Sequence, residues 1–305
     1  KKWARQLSKE KIIIAYSMHT PFLYAIKRAK RINPNIKICL VVPDLPQYMK
    51  LSTNPSILYK LFKSMDIKLI RTLMKYVDYY VFLTKYMADF FNIPSDRYVV
   101  VEGMVDSKKK SESYERVSLE DEITILYTGT LNFKYGIKTL LDAFMTIKNP
   151  NYKLLICGAG EAEKTIKELA KSDSRIRFLG LLNREQVVKL QRRATVLINP
   201  RGYEGDYTKY SFPSKIMEYL MSGRPTIAYK LPGIPDEYDK YIYYIDDTRV
   251  ESMASKIIQV CEKDPNELDE FGNVAKDFVI TEKNNIKQCE KIINLLNINN
   301  NNLND

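Results

Sequence analysis

After Asp121 the chain repeats one grammar: a short run of apolar, β-branched residues, then a stretch of helical period, then another such run. The strand-like runs are Ile123 to Gly129, Tyr152 to Gly158, Ile176 to Leu182, Thr195 to Pro200, Thr226 to Lys230 and Tyr241 to Ile245. Helical stretches at Ile137 to Ile147, Glu161 to Lys171, Arg184 to Arg193, Ser214 to Ser222 and Glu251 to Glu262 separate or follow them. Parallel strands need a crossover connection, so this alternation predicts an α/β domain with a doubly wound parallel sheet.

The first part of the chain repeats the pattern less completely, with strand candidates Ile12 to Tyr16, Ile36 to Val42, Tyr79 to Thr84 and Tyr98 to Glu102. That is too few strands for a full Rossmann-like half. Either this domain is reduced or its opening units were lost upstream, and the start at Lys1 with no methionine and no signal-peptide pattern makes loss the expectation. Asp106 to Asp121 is polar and rich in Lys, Ser and Glu, which reads as a solvated linker. The expected division is an N-terminal Rossmann-like domain over 1–110 and a second domain over 111–282. A terminal helix over 283–297 is expected to pack back across the boundary, and 298–305 forms an Asn-rich tail.

At 305 residues and 45% hydrophobic content the chain can build two modest cores. No apolar run approaches the roughly 20 residues needed to cross a bilayer. Cys39, Cys157, Cys261 and Cys289 are scattered with no CxxC spacing, which argues against a disulfide framework or zinc site and for a cytoplasmic setting. The single histidine, His19, leaves at most one imidazole for acid–base work. A net charge of +11 favours anionic partners, among them nucleotide phosphates and anionic lipid.

In an open parallel sheet, ligands bind beyond the carboxyl ends of the strands, where helix starts present unpaired N–H groups. Several informative residues lie there. Thr195 to Pro200 runs into a loop and then into Ser211-Phe212-Pro213-Ser214-Lys215, with Glu218 following on the same helix and Gly223 and Pro225 ending it. Pro213 suits the first turn, Gly223 the C′ position, and Glu218 then lies in the second turn. A surface carboxylate on an ordinary helix is the plain alternative. Gly158 and Gly160 follow a strand and open a helix, so the backbone can approach a ligand closely. The third glycine of a dinucleotide fingerprint is missing, and an NAD reading is weak.

These features come in order: Tyr127 to Leu131 with Tyr135-Gly136-Ile137, Leu140 to Phe144, Leu154 to Gly160, Arg177 to Gly180, Ile198 to Pro200, Glu218, and Gly233 to Pro235. The sequence resembles the retaining GT-B glycosyltransferases of family 4, the glycosyl transferases group 1, of the polysaccharide-biosynthesis type. The resemblance implies two Rossmann-like domains, a nucleotide-sugar donor, most readily a UDP-sugar, and no further cofactor or metal. It implies that Glu218 holds the ribose hydroxyls. The family's first glutamate, seven residues earlier, is here Tyr210, and its diphosphate Arg and Lys are Thr130 and Tyr135. Ser214 and Lys215 are therefore expected to take the leaving phosphate charge, with Lys134 nearby and Gly129, Thr130, Gly158, Gly160 and Leu182 lining the donor; the plain alternatives are a solvated lysine at 215 and a structural turn at Gly180 to Leu182. Similar enzymes place a histidine beside the transferred sugar, and His19 follows the strand Ile12 to Tyr16. The plain alternative is a structural histidine. Thr20-Pro21 is read as N-cap and first turn. Asp44, at the end of the next strand, is a candidate for orienting an acceptor hydroxyl or simply forming a turn.

From Ser56 to Val77, helical winding puts Lys60, Lys63, Lys68, Arg71 and Lys75 on one side, with Leu58, Phe62, Met65, Leu69 and Leu73 opposite. Such a helix either faces the core with a solvated charged side or lies on an anionic membrane surface, the inner face of the cell membrane. Aromatic residues do not interleave with the cations, so nucleic acid is not expected. The reading is a glycosyltransferase acting on a polysaccharide or lipid-linked acceptor. Its rivals are a nucleotide-sugar epimerase and a non-catalytic partner of the same fold, the latter encouraged by Thr130, Tyr135 and Tyr210. The paired carboxylates of hydrolases are not discernible.

Overall fold

The computed structural model describes residues 2–5, 11–48, 56–106, 122–203 and 205–297. They divide into two units. One holds the chain up to Gly103, Lys209–Phe212 and the chain from Ile286; the other holds Met104–Thr208 and Pro213–Asn285. The tail expected over 298–305 and all of the expected linker except Asp106 lie outside the described residues.

The first unit opens with α1 (Lys2–Arg5), β1 (Ile12–Tyr16), α2 (Thr20–Ile32) and β2 (Lys37–Val42). It continues with α3 (Ile57–Leu73), β3 (Tyr79–Phe82), α4 (Lys85–Phe91) and β4 (Tyr98–Val100). The four strands form a parallel sheet in the order β1-β2-β3-β4. Ile38, Leu40 and Val42 point to one face of β2, against Leu23 and Ile26 of α2 and Leu73 of α3. Cys39 points to the other, with Val81 and Val101. Burial of both faces explains why β2 reads as an unbroken apolar run.

The second unit contains β5 (Ile123–Thr128), α5 (Ile137–Thr146), β6 (Tyr152–Cys157), α6 (Glu163–Ser172) and β7 (Ile176–Gly180). After α7 (Arg184–Arg193) come β8 (Val196–Asn199), α8 (Ser214–Met221), β9 (Thr226–Tyr229), β10 (Tyr243–Ile245), α9 (Val250–Cys261) and α10 (Pro265–Glu282). All six strands are parallel, in the order β10-β9-β8-β5-β6-β7. The chain winds outward from β5 to β7, then returns to the other side of β5 and winds outward again. That reversal between β5 and β8 is the switch point of a Rossmann-like sheet. The α/β class and the two parallel sheets agree with the sequence. The last helix, α11 (Asn285–Leu295), belongs from Ile286 onward to the first unit, where Leu296 is buried with Cys39 and Val81 and its carbonyl accepts from Lys37 Nζ at 3.1 Å.

Several local expectations change. His19, not Thr20, is the N-cap of α2, and the Thr20 hydroxyl donates instead to Asp66 of α3. Glu161 precedes α6, its carboxylate accepting the Phe133 N–H at 2.9 Å. β10 begins at Tyr243 because Tyr241 closes a turn onto the Tyr238 carbonyl and stacks on Phe278 at 4.2 Å. The helix α10 was missing from the sequence pattern, although Asp264 caps it and Pro265 opens it. On α3 the buried residues are Ile70 and Leu73, while Leu58, Phe62 and Met65, which share a side with Leu73 in the sequence pattern and would face inward on the core-facing reading, are exposed.

Candidate functional site

At the switch point the loops after β5, β6 and β8 crowd together, and small residues make this possible. The Gly129 N–H donates to the Cys157 carbonyl at 2.8 Å, and the Leu131 N–H to the Ala159 carbonyl at 2.9 Å. A Cβ on Gly158 would lie 1.8 Å from the Gly129 carbonyl oxygen, so that position admits only hydrogen. Gly160 packs in the same way on the Leu131 carbonyl. The two glycines expected to let a ligand approach are thus also what joins the two loops.

The helix α8 starts beside them. Ser214 is its first residue and is exposed, with Pro213 rather than a helical residue at the cap. The Lys215 side chain runs back across Gly129: a Cβ there would sit 2.1 Å from Lys215 Cε and 2.9 Å from Nζ. Its positive charge is felt by Cys157 at the end of β6, although burial dominates and raises that thiol's pKa. One turn further, Glu218 is exposed, and its Oε1 accepts from the Gln191 side-chain amide of α7. Gln191 is only 1% exposed, and its amide also donates to Thr128 Oγ1 at 3.0 Å, at the end of β5. The buried Tyr219 hydroxyl accepts the Thr128 N–H at 3.0 Å and lies 3.2 Å from the Thr128 carbonyl. Burial raises the Tyr219 pKa, so the phenol keeps its proton and can donate.

Among the expected donor residues, the structure thus brings together Gly129, Gly158, Gly160, Ser214, Lys215 and Glu218. Thr130 is exposed, and its carbonyl accepts from the Tyr127 hydroxyl at 2.8 Å. Lys134 lies in a single turn of 3-10 helix with its ammonium 4.9 Å from the Tyr135 ring centre. Leu182 is half-buried after β7. In the first unit, His19 is exposed after β1 and meets Phe22 edge-on at 5.8 Å, and Asp44 is exposed after β2 with its carboxyl held above the usual range by partial desolvation. Tyr210 stacks on Tyr48 at 5.4 Å and meets Phe90 edge-on at 5.5 Å. That packing gives the residue at the family's first glutamate position a place in an aromatic cluster of the first unit. Among the described residues, no three His, Cys, Asp or Glu side chains converge.

Two residues of the site went unread in the sequence. Gln191 sits in a polar helix with no motif around it. Arg201, just after β8, sets its guanidinium over the rings of Tyr135 and Tyr207, 5.7 and 5.2 Å from their centres. Its position at a strand's carboxyl end was the available signal.

The sequence profile of the family described as "Glycosyl transferases group 1" matches residues 108–278, more than half of the chain. The chain belongs to this family. This group 1 glycosyl transferase is 24% identical over 228 residues to an uncharacterized glycosyltransferase of Methanocaldococcus jannaschii, covering 65% of the chain and 56% of that relative. The chain thus spans little more than half the length of that curated relative. Its fold is that of Anabaena HepE, solved in complex with UDP, with TM-score 0.71 at 14% identity over 97% of this chain and 81% of that one. The lipopolysaccharide outer core galactosyltransferase WaaB gives 0.67 at 15% identity over 97% and 77%. Sucrose-phosphate synthase from Thermosynechococcus elongatus gives 0.68 at 15% identity over 94% and 73%. The sequence's GT-B resemblance and group 1 family assignment agree with these findings.

Proposed function

We propose that the protein transfers a sugar from a nucleoside diphosphate sugar, most readily a UDP-sugar, to a polysaccharide or lipid-linked acceptor, with retention of configuration and without a divalent metal. The observation that carries this is the pairing on α8: Lys215 crosses Gly129 at the sheet's switch point while Glu218, one turn on, is exposed and held through one oxygen. A carboxylate can receive two adjacent ribose hydroxyls, and hydrogen bonds to a charged group are worth about 1.5–3 kcal/mol each. The Lys215 ammonium and the N–H groups at the α8 start supply positive charge for a leaving diphosphate. The UDP bound by HepE supports the choice of nucleotide. His19 and Asp44 are the acceptor-side candidates, and retention rests on the family resemblance.

The test incubates the protein with a panel of nucleotide sugars, with and without membrane extract, and follows nucleoside diphosphate release. Release with one donor is expected, and Glu218→Ala should lower it at least about tenfold with little change in Tm. Tyr210, packed in its aromatic cluster, favours a second reading, a non-catalytic partner of a glycosyltransferase. No release and no donor binding by calorimetry would select it.

The acceptor's lipid leads to a surface. Ile57, Leu58, Leu61, Phe62 and Met65 form an exposed apolar arc on α3, with Ile57 84% and Phe62 64% accessible. Lys60, Lys68, Arg71 and Lys75 are exposed around the same helix. Lys63 is partly covered, its ammonium 5.9 Å from the Tyr59 ring centre. Apolar side chains flanked by cations suit the headgroup region of an anionic membrane, so the protein is proposed to lie peripherally on such a surface. Co-sedimentation with anionic liposomes should be lost on charge reversal at Lys60, Lys63 and Arg71, and weakened by Phe62→Ser. Wild-type protein that ignores those liposomes at moderate salt ends this part of the proposal.

A further inference from the structure

The helix α7 carries an inversion of the usual pattern. Val187, Val188 and Leu190 are only half-buried, and the one fully buried side chain of the helix is the polar Gln191. An amide in that position is costly unless its donors are met, whereas a leucine there would be favourable. Both amide hydrogens are met, one by Thr128 Oγ1 and one by Glu218 Oε1. The orientation follows from chemistry, because a carboxylate only accepts and so the amide nitrogen must face it. Thr128 is fixed in turn by its backbone N–H bond to the buried Tyr219 hydroxyl.

The chain of bonds therefore runs from buried Tyr219 through Thr128 and Gln191 to an exposed carboxylate, linking the end of β5, α7 and α8. An exposed glutamate on a helix ordinarily samples several rotamers, and a ligand that needs one of them must freeze it. Here Oε1 is tied from inside before any ligand arrives. We infer that Gln191 is a positioning residue, whose buried amide presets the Glu218 carboxylate to receive the vicinal hydroxyls of a nucleotide ribose. This rests on the proposed reading of Glu218 as the ribose ligand.

The experiment titrates UDP and 2′-deoxy-UDP by calorimetry into wild type, Glu218→Ala and Gln191→Met, with Tm recorded for each. Wild type is expected to prefer UDP, and Glu218→Ala to lose that preference. Gln191→Met, which keeps length and volume, should cut the preference about two- to twelvefold, the cost of freezing one side chain, while 2′-deoxy-UDP affinity holds within about twofold. A residue that merely fills space would lower Tm or weaken both ligands alike. If wild type does not discriminate, or Glu218→Ala keeps the preference, the ribose reading fails and the inference with it. If Glu218→Ala loses the preference and Gln191→Met keeps it, the Gln191 inference alone is overturned. Should Gln191→Met not fold, Thr128→Val decides in the same assay, because it removes the second anchor of the amide: a reduced preference supports the inference and an unchanged one overturns it.

Discussion

Lys215 can lie across position 129 only because that residue is glycine, with φ at +150° and no Cβ in the path of the lysine chain. Gly129→Ala should therefore act twice. The backbone strain costs about 1–3 kcal/mol, read as a lower Tm, and the methyl group pushes the ammonium aside, weakening UDP binding in calorimetry. A second residue-scale effect concerns Asp173, 13% exposed in its side chain and paired with Arg175 at 2.7 Å. The Arg175 hydrogen bond, ahead of other influences, lowers the Asp173 pKa. A depressed folded value contributes stability above the unfolded pKa of about 3.9, lost as pH falls through the folded one. Asp173→Asn should cost about 1–2 kcal/mol at neutral pH, with the difference from wild type shrinking in denaturant titrations at progressively lower pH below about 4. Glu218 could be read in the sequence because Pro213 and Gly223 fix the ends of its helix and hence its turn. Gln191 could not, since nothing in a run of polar helix residues marks which one turns inward.

Among the elements, the second unit was legible almost strand by strand, because each parallel strand is a largely apolar run closed by a glycine, asparagine, lysine or aspartate. α10 escaped for the opposite reason: Phe278, Val279 and Ile280 are buried, but acids, Asn and Lys interrupt its earlier turns. It packs against α8 and the turn that ends it, and Gly272 sets the distance. A Cβ there would stand 2.2 Å from the Gly223 carbonyl oxygen, a backbone atom that cannot swing away. Gly272→Ala should cost about 1–3 kcal/mol as overpacking, measured by thermal unfolding; an unchanged Tm would show that α10 can shift freely against α8. On α3 the cations are exposed except for the partly covered Lys63, while the apolar side, which the pattern leaves open to the core or to a membrane, divides between buried Leu73 and exposed Leu58, Phe62 and Met65. Helical period gives the angle between residues but not which arc the rest of the unit covers.

At the scale of the whole chain, the family match lies almost wholly in the second unit, where residues 108–278 carry the six-stranded sheet and α8. The first unit offers fewer motifs, and His19 and Asp44 stand at the ends of β1 and β2 with no partner residues in the sequence to define their chemistry. The net charge of +11 accords with an anionic donor and an anionic surface but chooses between neither. The central claim is local, that a nucleoside diphosphate is held by Glu218 and the start of its helix. Hydrogen–deuterium exchange with and without UDP at about the wild-type Kd tests it directly. Exchange at the amides of Ser214 to Met217 should slow in wild type and change little in Glu218→Ala at the same UDP concentration. UDP binding that leaves those amides untouched, or protects them equally without the carboxylate, would contradict it.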